Sequence, residues 1–403
     1  KPMILALIAA LLLGVLSGTI TGLLPGIHIN LVSALLVSIS AFFLGFTSPI
    51  ILVIFIIAMS IAHTFIDFIP SVFLGAPEED TILSVLPGHE LLKQGRGYEA
   101  IYLATIGSFS AVIIILIIAP IFLIILPKIE NSIILFIPYI LIISSLFLII
   151  QEKNKLMGFS IFLLSGFLGI AALNSDVNQP LLPLLSGLFG ASSLIISIKT
   201  KVKIPEQKIT KPKLNKNILI HPLAASFISA PLCSIIPAIG SGQAAIIGSS
   251  LMYKKMSRKK FLILIGSVNT LILGLSFIVV YSINKARTGV AAAAQELIPI
   301  SNISNNDLFI ILATITIAGI ICFYWALFLA EKFSKIIGNI NYSKLSIFII
   351  IFIAVIVFIF SGWIGILIFF ISTATGIYGI LSGARRINLI GCLILPTILI
   401  YLL

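Results

Sequence analysis

Long apolar runs alternate with short polar breaks along the whole sequence, and no run has the apolar–polar alternation of a barrel strand. The runs lie near residues 3–20, 29–44, 49–74, 98–126, 132–150, 156–173 and 180–198. A second set lies near 218–236, 243–253, 261–283, 289–300, 307–330, 345–361, 363–382 and 387–403. A spanning helix needs about 20 consecutive apolar residues, so the chain reads as an all-α polytopic membrane protein. Some runs are too short to span or are interrupted by Pro or Gly. They read as half-helices or re-entrant hairpins, which membranes tolerate only inside protein or beside a polar cavity. Composition closes off the alternatives: 60% of residues are hydrophobic and 9% charged, against about a quarter charged in a soluble domain. A soluble enzyme, a disordered chain and a disulfide scaffold are excluded. Cys233, Cys322 and Cys392 are far apart in apolar surroundings and have no metal-ligand spacing. Ile4 to Ile20 run on without an A-x-A-like cleavage site and read as a retained membrane helix.

The formal net charge of +12 is concentrated. Lys199, Lys201, Lys203, Lys208, Lys211, Lys213 and Lys216 crowd residues 199–217 against Glu206 alone. A second basic loop is Lys254-Lys255-Met256-Ser257-Arg258-Lys259-Lys260. In a membrane chain such loops mark the cytoplasmic side, so they are read as topology and not as a nucleic-acid site. The linker at 199–217 divides the chain into a first transmembrane repeat, 1–198, and a second, 218–403.

The two parts share a pattern. Pro25-Gly26-Ile27-His28-Ile29-Asn30 answers Pro237-Ala238-Ile239-Gly240-Ser241-Gly242 at an offset of 212, and His63-Thr64 answers Asn269-Thr270 at 206. Gly75-Ala76-Pro77-Glu78-Glu79-Asp80-Thr81 answers Ser282-Ile283-Asn284-Lys285-Ala286-Arg287-Thr288 at 207. The uncharged break Gly45-Phe46-Thr47-Ser48-Pro49 corresponds to the basic loop 254–260. A basic loop facing a neutral counterpart is what opposite orientation predicts, so the expectation is two inverted repeats with an outside N-terminus. Residues 218–253 would then enter and return.

Paired Gly/Pro breaks point to a transporter site. Broken helices free N–H groups whose half-helix termini attract anions. The substrate-binding candidates are Pro25, Gly26, His28 and Asn30 at the first break and Pro237, Gly240, Ser241, Gly242 and Gln243 at the second. Lys285, Arg287 and Thr288 join them from the later loop, because Arg suits bidentate binding of carboxylate or phosphate. Intramembrane ionisable residues are costly and usually functional. His63, Thr64 and Asp67, with Asn269 and Thr270, are therefore the candidates for a coupling Na⁺ or H⁺. His63 and Asp67 are four apart and share a helical face. The chain has no H-E-x-x-H, G-x-S-x-G or Walker A motif, so neither catalysis nor ATP-driven transport by this chain alone is expected.

Further motifs are Gly22-Leu23-Leu24-Pro25-Gly26-Ile27, Pro70-Ser71-Val72-Phe73-Leu74-Gly75-Ala76-Pro77, Thr81, Leu86-Pro87-Gly88-His89 and Lys93-Gln94-Gly95-Arg96-Gly97. Ile236-Pro237-Ala238-Ile239-Gly240 and Tyr253 follow in the second part. In this order they resemble the TctA family, the large membrane subunit of tripartite tricarboxylate transporters, and in particular its stand-alone archaeal branch. The resemblance implies an inverted-repeat secondary transporter coupled to an ion gradient. Such proteins usually work with a small membrane subunit and an extracytoplasmic binding protein. Two departures stand out: Pro77 is followed by three acids, and Asn284-Lys285-Ala286-Arg287 replaces the expected Pro-Gly. The expected activity is ion-coupled transport of a carboxylate-like organic anion at the paired breaks. The alternative is a translocase for an anionic lipid such as a polyprenyl phosphate. The expected partners are the small anion or anionic lipid and the membrane lipids, with no nucleic acid. A homo-oligomer and accessory subunits stay open.

Overall fold

The computed structural model describes residues 2–24, 29–38, 44–74, 81, 84–200, 205–236, 240–252, 256–298, 305–339 and 342–402. Pro25, Gly26, His28, Pro237, Tyr253, Lys254, Lys255 and the acids Glu78, Glu79 and Asp80 lie outside them. Among the described residues there is no strand. The helices are α1 (Pro2–Leu23), α2 (Ile29–Ser38), α3 (Pro49–Ile66), α4 (Phe68–Leu74), α5 (Val85–Lys93), α6 (Gly97–Ile150) and α7 (Lys155–Leu173). Next come α8 (Leu181–Leu185), a π-helical stretch (Ser186–Ala191) and α9 (Ser192–Thr200). After the linker follow α10 (Lys216–Ile235), α11 (Ser241–Leu251), α12 (Arg258–Ile283), α13 (Gly289–Leu297), α14 (Asn305–Ile336), α15 (Tyr342–Leu381) and α16 (Gly391–Leu402). Nine helices among the described residues are long and apolar enough to cross a membrane. The chain is an all-α, multi-pass membrane protein.

Three boundaries differ from the sequence reading or refine it. The runs 98–126 and 132–150 join in α6, which would be about 80 Å long if straight and so exceeds one crossing. Lys128 and Glu130 lower the hydropathy between the runs, but both are good helix formers, so the backbone stays helical. The bends fall to Pro120, Pro127 and Pro138 within it. In α15 the expected break at 362 is present: Gly362 takes φ 63°, ψ −161° and separates 342–361 from 363–381. The run 49–74 is interrupted at Asp67, a turn residue between α3 and α4.

The centre of the bundle is α12, whose spanning stretch is wholly buried, with the largely buried α3 and α4 beside it. Lipid tails are as apolar as leucine, so close approach of backbones does much of the packing. Gly14, Gly18 and Gly22 lay α1 along α3 and Asp67; a Cβ at Gly18 would lie 2.2 Å from the Met59 carbonyl oxygen. At the α6–α12 contact, a Cβ at Gly107 would lie 2.1 Å from the Ile263 carbonyl oxygen, and one at Gly266 would lie 2.1 Å from that of Ala104.

Polar contacts gather at one end of the bundle. Glu99 pairs with Arg96 (2.6 Å) and Lys259 (2.7 Å), and Arg258 pairs with Glu90. Gln151 donates to Ser250 Oγ (3.2 Å), and Glu152 Oε1 accepts from Arg385 Nε (2.7 Å) and Asn388 Nδ2 (2.9 Å). Part of the linker docks here, with the Lys208 N–H donating to the Gly95 carbonyl (2.7 Å). From this end α10 runs inward and α11 packs back along it, Gly248 lying against Ala225 and Ser229. α10 and α11 therefore pack as an antiparallel pair.

Half-buried His89 on α5 is kept neutral here. Burial pushes its pKa down to about 4, and the charges of Lys93 and Arg386 add to the effect. An unfolded histidine titrates near pH 6.5. Between those values the unfolded chain binds more protons, so stability falls as pH drops from about 6.5 towards 4. Thermal melts in detergent should show His89→Gln losing less stability than wild type between pH 7 and pH 5. Equal losses would exclude His89 as the source.

Candidate functional site

The site is built where α3 ends inside the bundle. Ile56 to Phe73 are buried without interruption, and the polar exceptions in that stretch are Ser60, His63, Thr64, Asp67 and Ser71. The Asp67 N–H still donates to the His63 carbonyl (2.9 Å), so one helical face carries both side chains although α3 stops at Ile66. The chain resumes as α4, with Pro70 in its first turn, where the missing donor costs least.

The counterpart residues on α12 meet this face directly. Asn269 Nδ2 donates to Asp67 Oδ2 (3.0 Å), and Thr270 Oγ1 donates to Thr64 Oγ1 (3.1 Å). Asp67 is 2% exposed, Asn269 3% and Thr270 0%. Thr64, Asp67, Asn269 and Thr270 therefore meet between α3 and α12, and His63 precedes Asp67 by one turn. Thr64 and Thr270, matched in the sequence at an offset of 206, are in contact.

The structure adds residues that sequence reasoning did not single out. Thr21 Oγ1 on α1 lies 3.0 Å from His63 Nδ1 and also donates to the Gly18 carbonyl (3.1 Å). Its one proton cannot serve both, so both bonds are made when Nδ1 carries a proton. Trp325 Nε1 on α14 donates to Thr19 Oγ1 (3.0 Å), and Ser226 on α10 meets Ser267 on α12 (2.8 Å). The available signal was the position of Thr19 and Thr21 in the last turns of an apolar helix just before the Pro25-Gly26 break.

Of the substrate candidates, the second-part set is partly assembled. Arg287 Nε donates to the Ile236 carbonyl (3.0 Å), which brings the guanidinium to the break between α10 and α11. At the start of α11, Gly240 is the extended N-cap without a side-chain cap, and Ser241, Gly242 and Gln243 are buried. Gln243 is fully buried, and neither its Oε1 nor its Nε2 has a hydrogen-bond partner among the described residues. A buried amide in that state costs free energy until something pairs with it. Thr288 is engaged locally: its Oγ1 caps α13 by accepting from the Ala291 N–H (3.2 Å) and touches Ser276 Oγ (3.2 Å). Lys285 is exposed in the same loop, which opens on Asn284 in the left-handed region. Asn30 lies in α2, and α13 packs on α2, so the loop's helix touches the element that follows the first break.

Residues 8–391 match the family described as the Tripartite tricarboxylate transporter TctA family. The chain belongs to the TctA family. An uncharacterized protein of Methanocaldococcus jannaschii is 35% identical over 388 residues, 94% of each chain. No solved structure matches the chain. Membership of a transporter family, together with the nine apolar helices, makes the chain a multi-pass membrane protein with a transport role. Several glycines of the motifs that resembled the TctA family sit at close contacts. Gly22 meets Ile66 and the Asp67 backbone, and Gly88 meets Val72. Gly95 and Gly97 meet the docked linker.

Proposed function

We propose that the chain is an ion-coupled secondary transporter for a carboxylate-like organic anion, working by alternating access in the cytoplasmic membrane. The observation that carries the reading is the buried contact of Asp67 and Thr64 with Asn269 and Thr270. Ionisable residues inside membrane segments are costly and usually functional, which makes a buried carboxylate among these polar side chains a candidate for binding a coupling ion. His63, Thr64, Asp67, Asn269 and Thr270 form the coupling site for Na⁺ or H⁺. Residues 1–198 and 218–403 act as two inverted repeats about it. The contact between residues matched by sequence offset supports this, as does the similar order of a long span, a short helix and a buried span in α1–α4 and α10–α12.

The anion binds at the helix breaks. Arg287 is its principal cation, and the N-terminus of α11 with Gln243 supplies hydrogen-bond donors. Pro25, Gly26, His28, Asn30, Pro237, Gly240, Ser241, Gly242, Lys285 and Thr288 complete the set. Equilibrium binding of labelled di- and tricarboxylates to the purified protein tests this. A charge-assisted hydrogen bond contributes about 1.5–3 kcal/mol, so Arg287→Ala should weaken binding by about tenfold to a hundredfold. Equal affinities, or no binding to wild type, would remove the proposed site.

The basic end faces the cytoplasm in this reading, which agrees with the lysine excess there. A tag inserted at residues 206–210 should be labelled from the cytoplasmic side alone. Labelling from outside would reverse the orientation.

A further inference from the structure

The span ending at Lys199 and the span starting at Lys216 both meet the linker. Its described part is strapped to the bundle and does not hang free. Besides the Lys208–Gly95 backbone bond, Gln207 Oε1 accepts from the Gly97 N–H (2.8 Å) and Gln207 Nε2 donates to the Leu92 carbonyl (3.1 Å). The corner is shaped for it: Gly95 has φ +72°, and a Cβ there would lie 2.8 Å from the Glu206 carbonyl oxygen. Docking fixes which side chains point away. Lys208, Lys211, Lys213 and Lys216 are exposed, and Ile209 (41%) and Leu214 (36%) are exposed among them.

Several other cations at this end are paired with acids. Arg96 and Lys259 share Glu99, Arg258 has Glu90 and Arg385 has Glu152. None of the ion pairs among the described residues takes a linker lysine. The helices on both sides of it are long and apolar enough to cross a membrane, which would put the strap where the lipid head groups begin. Its lysines fall within the Debye length, about 8 Å at physiological salt, of any anionic head groups there. Exposed Ile209 and Leu214 suit a lipid interface, whereas the phosphates of a nucleic acid would need only the lysines.

We propose that residues 205–216 form a docked strap that binds anionic lipid head groups. This inference does not depend on the transported substrate. The test uses full-length protein reconstituted into phosphatidylcholine vesicles with and without phosphatidylglycerol. A fluorophore is attached at Leu214→Cys and read against a quencher in the bilayer. Phosphatidylglycerol should increase the quenching, and high salt should remove the increase. The variant Lys208→Gln/Lys211→Gln/Lys213→Gln/Lys216→Gln should also lose it while its thermal melt stays unchanged, because the docking bonds use the Lys208 backbone and Gln207. Equal quenching in the two vesicle types would overturn the proposal. So would retention of labelled RNA by the detergent-solubilised protein with no response to phosphatidylglycerol.

Discussion

Asp67→Asn should reduce gradient-driven uptake to the background of empty liposomes while leaving a folded protein. The substitution keeps the shape of the side chain and removes the one carboxylate in the buried contact between α3 and α12. Its neighbour Asn269 is an amide that donates to Asp67 Oδ2 over 3.0 Å. After the change two amides face one another and can still share a hydrogen bond, so the loss of packing is small. What disappears is a group able to hold a cation or a proton at membrane depth. The double variant Asp67→Asn/Asn269→Asp returns a carboxylate to the same pair from the other helix. It should recover part of the ion-dependent uptake. If the single variant still couples, or if the exchange restores nothing although the double variant folds, the pair is structural and the ion site lies elsewhere.

Gly266→Val should have the largest effect on folding. Gly266 lies one turn before Thr270 on α12, the helix that the rest of the bundle encloses. A Cβ there would lie 2.1 Å from the Ala104 carbonyl oxygen, and Gly107 on α6 makes the reciprocal approach to Ile263. The obstacle is backbone, so no rotamer change relieves it. Overpacking usually costs about 1–3 kcal/mol, and a clash with main chain on two rigid helices belongs at about 3 kcal/mol or more. The variant should give little monodisperse protein in detergent, and its melting temperature should be much lower. Gly338→Ala is the control, since nothing lies within 4 Å of a Cβ there. A melt of Gly266→Val matching that control would show that α6 and α12 can part at no cost.

Much of the fold was legible because hydropathy and Gly/Pro punctuation are local signals. The run ends and the Gly362 break were visible in them. What stayed hidden depended on contacts between distant residues or on competing local effects. The gap between the runs 98–126 and 132–150 holds the charged Lys128 and Glu130, yet both are good helix formers and α6 continues through them. Asp67 sat inside an unbroken apolar run, so the turn there left no trace in hydropathy. In the site, the offset of 206 aligned His63-Thr64 with Asn269-Thr270, but offset says nothing of distance. The Thr64–Thr270 bond and the Asp67–Asn269 bond depend on how α3 and α12 cross, which no local signal in the sequence records. Thr21 is equally silent in the sequence, since its partner His63 is 42 positions away. The docking of the linker on Gly95 was equally invisible, because Lys and Gln in a polar stretch carry no pairing signal.

The most direct measurement is uptake of radiolabelled di- and tricarboxylates into proteoliposomes, with and without an imposed Na⁺ or proton gradient. The account predicts that at least one such anion accumulates against its concentration gradient when one of the two ion gradients is imposed. It also predicts that Asp67→Asn abolishes this accumulation. Accumulation of no anion under either gradient, by protein shown to be folded, would contradict it.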